Sequence, residues 1–162
     1  MREAAEVTLP KFIIEELKER AGRAGVTVEE YLLDILVGDI DPVEGASKYI
    51  RGAEELIEQA RQELKKNDLR QASEKIWGAC ALAIKAHALA KKGIKLESHR
   101  DLWIYKNEVA RELGEWVRTV FRQADSMRKN FYENLATRED VEDVLKEVEK
   151  LVTALSKTLK HY

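Results

Sequence analysis

Apolar positions recur every three to four residues along most of the chain, and this spacing predicts a series of α-helices. Residues 68–93 stand apart, because between Ile76 and Ala90 the only ionisable side chains are Cys80, Lys85 and His87. A helix that is apolar on nearly every side has to be surrounded by other helices. We therefore expect this segment to lie at the centre of the fold.

Signals for helix ends divide the rest of the chain. Asp41 before Pro42, Ser98 three residues before Asp101, and Thr137 are typical of helix starts. Short turns between long amphipathic helices predict antiparallel neighbours. The predicted class is all-α: an antiparallel four-helix bundle of residues 42–66, 68–93, 114–136 and 137–160, with an extra connecting helix at 98–113.

The first 40 residues form a separate unit in this interpretation, with the bundle at 41–162. Residues 3–9 could form a short strand, although their alternation is poor. Two short helices follow, since Pro10 suits a helix start and Thr27 with Glu30 forms a capping box. This helical hairpin has too many apolar residues for a unit that cannot build a core alone, so we predict that it dimerises the protein.

Composition narrows the classes of function. Charged residues make up 36% of 162 residues, yet the net charge is only −2, which gives no broad attraction to nucleic acid or membranes. The single cysteine excludes an internal disulfide and fits a cytoplasmic protein, and no apolar run approaches the roughly 20 residues of a membrane span. Abundant Glu, Lys and Arg with few Met and Cys favours a thermophilic source.

The opening helices resemble the ribbon-helix-helix family over roughly the first 37 residues, around the segment AGVTVEEYLLDIL. That resemblance implies a two-chain ribbon that reads DNA through Ala4, Glu6 and Thr8. None of these is basic, whereas affinity for DNA depends mainly on neutralising phosphate charge. DNA is therefore an unlikely partner, and the segment is better interpreted as a packing or dimerisation hairpin.

A second resemblance covers residues 42–160. It is carried by ASEKIWGA at 72–79, AIKA at 83–86, His99, and NFYEN at 130–134. With these segments the chain resembles the HEPN-like helical domains, and more closely the archaeal PaREP-one proteins. The resemblance implies a helical bundle and brings no established activity with it.

Active HEPN-like nucleases are known for an arginine, usually followed by a polar residue, and a histidine about three residues further on, and this pair acts on RNA without metal. The matching segment here starts at Arg128, but Glu133 and Asn134 stand where the histidine would fall. Histidine moves protons near neutral pH unaided, and glutamate does so only with a raised pKa. A metal-independent RNase of toxin type that uses Arg128 and Glu133 is thus the disfavoured alternative, and a non-enzyme is preferred.

The candidate ligand-binding residues are Lys85, His99, Arg128, Asn130 and Tyr132, which we expect to line an interhelical polar pocket or the dimer interface. For Lys85 the plainer expectation is that its stem lies on apolar neighbours while its ammonium group reaches the surface or pairs with a glutamate such as Glu74. RNA or a nucleotide is a possible ligand, although no phosphate-binding glycine loop is present. We predict no cofactor, and with three histidines and one cysteine, none closely spaced, no metal site. The favoured function is a homodimeric interaction or ligand-binding module.

Overall fold

The computed structural model describes residues 5–160, and these form seven α-helices and no strand. The all-α prediction is confirmed. The helices are α1 (Lys11–Ala24), α2 (Val28–Val37), α3 (Pro42–Lys65), α4 (Leu69–Lys92), α5 (His99–Leu113), α6 (Trp116–Glu133) and α7 (Arg138–Leu159). Within residues 5–160 no helix is both long and apolar enough to cross a membrane.

The predicted helix starts are confirmed by their hydrogen bonds. Thr27, Ser98 and Thr137 each form a complete capping box with an acidic residue three positions on. The side chains of Asp41 and Asp68 accept backbone amides in the first turns of α3 and α4. Each cap satisfies amides that have no partner inside their helix, so these residues fix where the helices begin.

Helix α4 is the centre of the fold, as the sequence predicts. Every residue from Ile76 to Leu89 is buried. Helix α4 packs against α3, α6 and α7, and also contacts α5 and α2. The apolar stripes of α3, α6 and α7 surround it, and α5 lies against α6 and α4 as the connecting helix. Burial on all sides explains why residues 76–89 of this helix contain a single Lys and no Arg, Asp or Glu.

The short strand that residues 3–9 could have formed is absent from the residues that can be described. Residues 5–10 form neither helix nor strand, and Val7 is largely exposed; residues 3 and 4 lie outside the described range. A strand needs a partner for its ladder of hydrogen bonds, and the described chain offers none. Apart from this segment, α1 and α2 form the predicted helical hairpin.

The hairpin is joined to the bundle mainly through α2. Helix α1 packs chiefly on α2, whereas α2 packs on both α3 and α4. Glycines on the bundle permit this approach: a Cβ atom at Gly52 would lie 2.6 Å from Leu33 Cδ2, and one at Gly45 would lie 3.1 Å from Val37 Cγ1. The absence of side chains at these two positions lets α2 lie close to α3.

Candidate functional site: a charged cleft between the hairpin and the bundle

A small cleft opens where the hairpin meets the bundle. It has a volume of about 80 Å³ and lies between the α1–α2 turn, the first turns of α4 and the last turns of α6. The residues that line it are Gly22, Gly25, Val26, Thr27, Glu74, Trp77, Arg128, Phe131 and Tyr132. Two of the five residues predicted to bind a ligand, Arg128 and Tyr132, are therefore in this cleft.

The cleft contains two opposite charges that are not paired. Glu74 and Arg128 are each partly buried, and neither makes a hydrogen bond or ion pair with any residue between 5 and 160. Burial raises the pKa of the Glu74 carboxyl, and the nearby carboxylate of Glu29 raises it further. Partly buried charges normally find partners, so this pair has unused capacity to bind.

The other walls supply a hydroxyl group and aromatic rings. Thr27 Oγ1 accepts the amide proton of Glu30 at 3.1 Å, which leaves the hydroxyl proton of Thr27 able to donate elsewhere. Trp77 is almost fully buried and packs edge-on against Phe121, with ring centroids 5.6 Å apart. Phe131 and Tyr132 make a similar contact with each other at 5.0 Å. The cleft thus combines aromatic rings with a hydroxyl group and two charges.

His99 lies behind the cleft, and does not line it. Its Nε2 atom is 2.8 Å from Oδ1 of Asp125, a buried carboxylate on α6. The imidazole also packs on Trp77, with ring centroids 5.4 Å apart. This hydrogen bond fixes the orientation of the imidazole ring. His99 therefore packs against Trp77, which lines the cleft, and could affect a bound ligand only through Trp77.

Lys85 lies elsewhere, in a buried ionic cluster between α4 and α2. Its Nζ atom is 2.8 Å from Asp34 Oδ2 and 3.3 Å from Glu30 Oε2. Tyr49 on α3 donates a hydrogen bond to Asp34 at 2.7 Å. Desolvation raises the pKa of Glu30. It also raises the pKa of Tyr49, and the hydrogen bond from the Tyr49 hydroxyl to Asp34 raises that pKa further. The cluster ties the hairpin to the bundle.

The expected ion pair between Lys85 and Glu74 is wrong. Both residues lie on the same side of α4, but eleven residues of helix separate them by about 16 Å, which exceeds the reach of the two side chains. Lys85 instead meets the acidic residues of α2, and Glu74 faces the cleft.

Asn130 is also separate from the cleft, and it orders the α6–α7 connection. Its Nδ2 donates to Ser73 Oγ at 2.9 Å, and its Oδ1 accepts the amide protons of Leu135 and Ala136, each at 2.7 Å. These three bonds use most of the capacity of the amide group. Glu133, the residue paired with Arg128 in the nuclease hypothesis, is exposed and does not line the cleft.

His87 makes the interhelical contacts expected of a core histidine. Its ring nitrogens lie 2.9 Å from the Tyr105 hydroxyl and 3.0 Å from Glu112 Oε1. Desolvation lowers the pKa of His87, against the opposing effect of Glu112. Between residues 5 and 160 no group of three or more His, Cys, Asp or Glu side chains is placed to hold a metal ion.

Sequence reasoning missed the acidic partners of these sites, although a signal for them exists. Glu30 lies at the spacing of Leu33 and Val37 on α2, and Asp125 follows Phe121 by four residues on α6. An acidic residue on an otherwise apolar stripe is usually buried with a partner. The pattern could have identified Glu30 and Asp125 as paired residues, without naming the partners.

The comparisons with known proteins identify the family to which this chain belongs. The model of the archaeal PaREP1/PaREP8 family matches residues 48–152, and the chain belongs to this family. The match includes the whole of α4, α5 and α6 and most of α3 and α7.

A protein of known crystal structure from Sulfolobus solfataricus has a similar fold. Its TM-score is 0.61 at 24% identity, over 67% of this chain and 96% of that one. At this identity the likeness concerns the fold alone. No curated protein matches the sequence.

Proposed function

We propose that this family member is a non-enzymatic helical interaction protein that forms a homodimer through the outer face of its N-terminal hairpin. The supporting observation is a row of exposed apolar side chains, here called the hairpin face: Phe12, Leu32, Ile35 and Leu36. Phe12, Ile35 and Leu36 are 70%, 58% and 71% exposed. Contiguous apolar surface of this kind marks an interaction site on a soluble protein.

Helical phase explains why these side chains share one surface. On α2 the positions of Glu30, Leu33, Asp34 and Val37 turn toward the bundle, so Leu32, Ile35 and Leu36 fall on the outer side. Phe12 and Ile35 also line an apolar groove of about 200 Å³ between α1 and α2, together with Ile13, Leu17 and Tyr31. The groove offers a place for an apolar side chain from a partner.

A second copy is the partner that fits best. Six of the seven charged residues of α1 pair within the helix, Lys11 with Glu15, Glu16 with Arg20, and Glu19 with Arg23, and Lys18 is the seventh. The charged residues that line the groove, Glu16 and Arg20, neutralise each other, so the groove does not select an oppositely charged partner. A two-fold interface brings the same surface together from both subunits, and an apolar ridge beside an apolar groove suits that geometry.

The proposal keeps residues 1–40 as a dimerisation unit and 41–162 as the bundle. It also keeps the HEPN-like assignment of the bundle, for which the central α4 and its flanking helices are the support. A cytoplasmic protein from a thermophile is consistent with the sequence composition and with Cys80, whose thiol is fully buried and has a pKa raised by desolvation.

Sedimentation equilibrium tests the proposal with a matched pair of substitutions. Ile35 on the hairpin face and Ile104 on α5 are similarly exposed helical isoleucines, at 58% and 60%. We expect the native protein and Ile104→Lys to sediment at twice 18.6 kDa, and Ile35→Lys to sediment at 18.6 kDa. A native monomer at the highest soluble concentration would overturn the dimer. A dimer that survives Ile35→Lys would overturn the choice of surface.

A further inference from the structure

The unpaired charges of the cleft identify the kind of ligand that would complete it. Glu74 and Arg128 line the same space of about 80 Å³, and neither has a hydrogen-bonding or ionic partner between residues 5 and 160. A simple anion would bind Arg128 but be repelled by Glu74. A simple cation would meet the opposite conflict. A molecule that carries both charges a few bonds apart satisfies both side chains.

We propose that the cleft binds the aminocarboxylate group of a free α-amino acid. The carboxylate of the ligand lies against the Arg128 guanidinium, with the Thr27 hydroxyl as a second donor. The ammonium group lies against Glu74, and the Tyr132 ring in the same lining can add a cation–π interaction. The Phe131 ring already has the Arg70 guanidinium over it, 5.7 Å from its centroid. This inference goes beyond the proposed dimer and does not depend on it, because all these residues belong to one chain.

The size of the cleft limits what it can hold. Its volume is far below the roughly 300–1,000 Å³ of sites for larger ligands, so only a few heavy atoms fit inside. The exposed Tyr132 stands at its edge, which leaves a route for the rest of the ligand toward solvent. The site therefore recognises the aminocarboxylate group, which all α-amino acids share, and the side chain of the ligand extends toward solvent.

The protonation of Glu74 should change when the ligand binds, and a purely structural role of Glu74 would not produce this change. Burial raises the pKa of its carboxyl in the free protein. A bound ammonium group favours the ionised carboxylate and lowers that pKa again. Binding should therefore release protons when the pH lies between the two pKa values.

Calorimetry with glycine and L-alanine as probes tests the inference on the full-length protein. Acetate, methylammonium and inorganic phosphate serve as probes that carry charge of one sign only. We expect the two zwitterions to bind, and the one-sign probes to bind at least tenfold more weakly, since each lacks a charged hydrogen bond to one of the two side chains. Repeating the titration in buffers with different ionisation enthalpies should reveal the proton release.

Five variants complete the experiment. Arg128→Gln and Glu74→Gln should each weaken zwitterion binding about tenfold or more, and Glu74→Gln should also abolish the proton release. Arg122→Gln and Glu133→Gln, on exposed positions of α6, should leave binding unchanged. Circular dichroism of each variant checks that the helices are intact, and Arg128→Lys should retain part of the affinity should Arg128→Gln fail to fold.

Two results would overturn the inference. One is the absence of zwitterion binding at the solubility limit of the probes. The other is phosphate binding that becomes tighter in Glu74→Gln, because this would make the cleft an anion site that Glu74 merely weakens. The sedimentation result does not affect either outcome, so failure of the dimer and failure of the cleft are distinguishable.

Discussion

Lys85 Nζ and Asp34 Oδ2 lie 2.8 Å apart across the junction between the bundle and the N-terminal hairpin. Lys85 is only 1% exposed, and Glu30, its second acidic neighbour, is fully buried. A buried lysine keeps its charge only with such partners. The ion cluster is therefore the specific contact that holds α2, and with it the hairpin face, in a defined orientation on the bundle.

Substitution of Lys85 should be among the most damaging single changes. Lys85→Met leaves Glu30 and Asp34 without their cation, and breaking a buried pair in this way typically costs about 3–5 kcal/mol. Urea denaturation measures the loss of unfolding free energy. The triple variant Lys85→Met, Glu30→Gln, Asp34→Asn should recover part of it, because no uncompensated charge remains. A loss below about 1 kcal/mol, as for a surface pair, would contradict this interpretation.

Asn130 and Ser73 should differ in importance although they are hydrogen-bonded to each other. Asn130→Ala removes three bonds and leaves the amides of Leu135 and Ala136 without their acceptor, so we expect a loss of about 1–3 kcal/mol. Ser73→Ala leaves those two amides satisfied and should cost about 1 kcal/mol or less. Thermal unfolding of the two variants checks the order. An equal loss would mean that the α6–α7 connection does not depend on Asn130.

The pH dependence of stability should reveal the raised pKa of the Glu74 carboxyl. Its pKa is raised above the ordinary value of 4.5 in the folded protein, so the folded state holds this proton more tightly than the unfolded chain. The resulting stabilisation is present below 4.5 and is lost as the pH rises through the raised pKa. Glu74→Gln should therefore raise the melting temperature at neutral pH.

The comparison across pH separates this effect from general changes at the surface. The difference between Glu74→Gln and the native protein should shrink as the pH falls below 4.5, where both side chains are uncharged. Glu133→Gln, at an exposed position on α6, should show no such pH-dependent gain. A constant difference at all pH values would assign the effect to packing and not to ionisation.

Gly52 and Gly22 are both helical glycines, and they should respond oppositely to the same substitution. At Gly52 even a Cβ atom would lie 2.6 Å from Leu33 Cδ2, so Gly52→Leu should push α2 away from α3 and cost about 1–3 kcal/mol or more. At Gly22 a Cβ atom meets nothing within 4 Å, and Gly22→Leu should stabilise α1 by up to about 1 kcal/mol. Chemical denaturation and the protection of α2 amides from hydrogen exchange measure both effects.

The sequence predicts the helices well because their signals are local. Thr27, Ser98, Thr137 and Asp68 each bond to amides within three residues, so their roles follow from spacing alone. The burial of residues 76–89 follows from composition, because a helical segment that is apolar on nearly every side can be accommodated only inside the fold. The short strand was the exception, since a strand depends on a partner that local sequence does not supply.

The grouping of the polar residues, unlike the helices, cannot be predicted from local signals, because it depends on which helices pack against each other. Lys85 and Trp77 lie eight residues apart on α4, about 12 Å along its axis, so the same helix contributes to two separate sites. The cleft exists because the α1–α2 turn lies over the ends of α4 and α6, and the ion cluster exists because α2 crosses α3 and α4 at Gly45 and Gly52.

By itself the sequence determined an all-helical protein with α4 at its centre, since periodicity and capping act over a few residues. The pairing of Lys85 with Asp34 and the meeting of Glu74 with Arg128 were decided only by tertiary packing, which joins residues 51 or more positions apart.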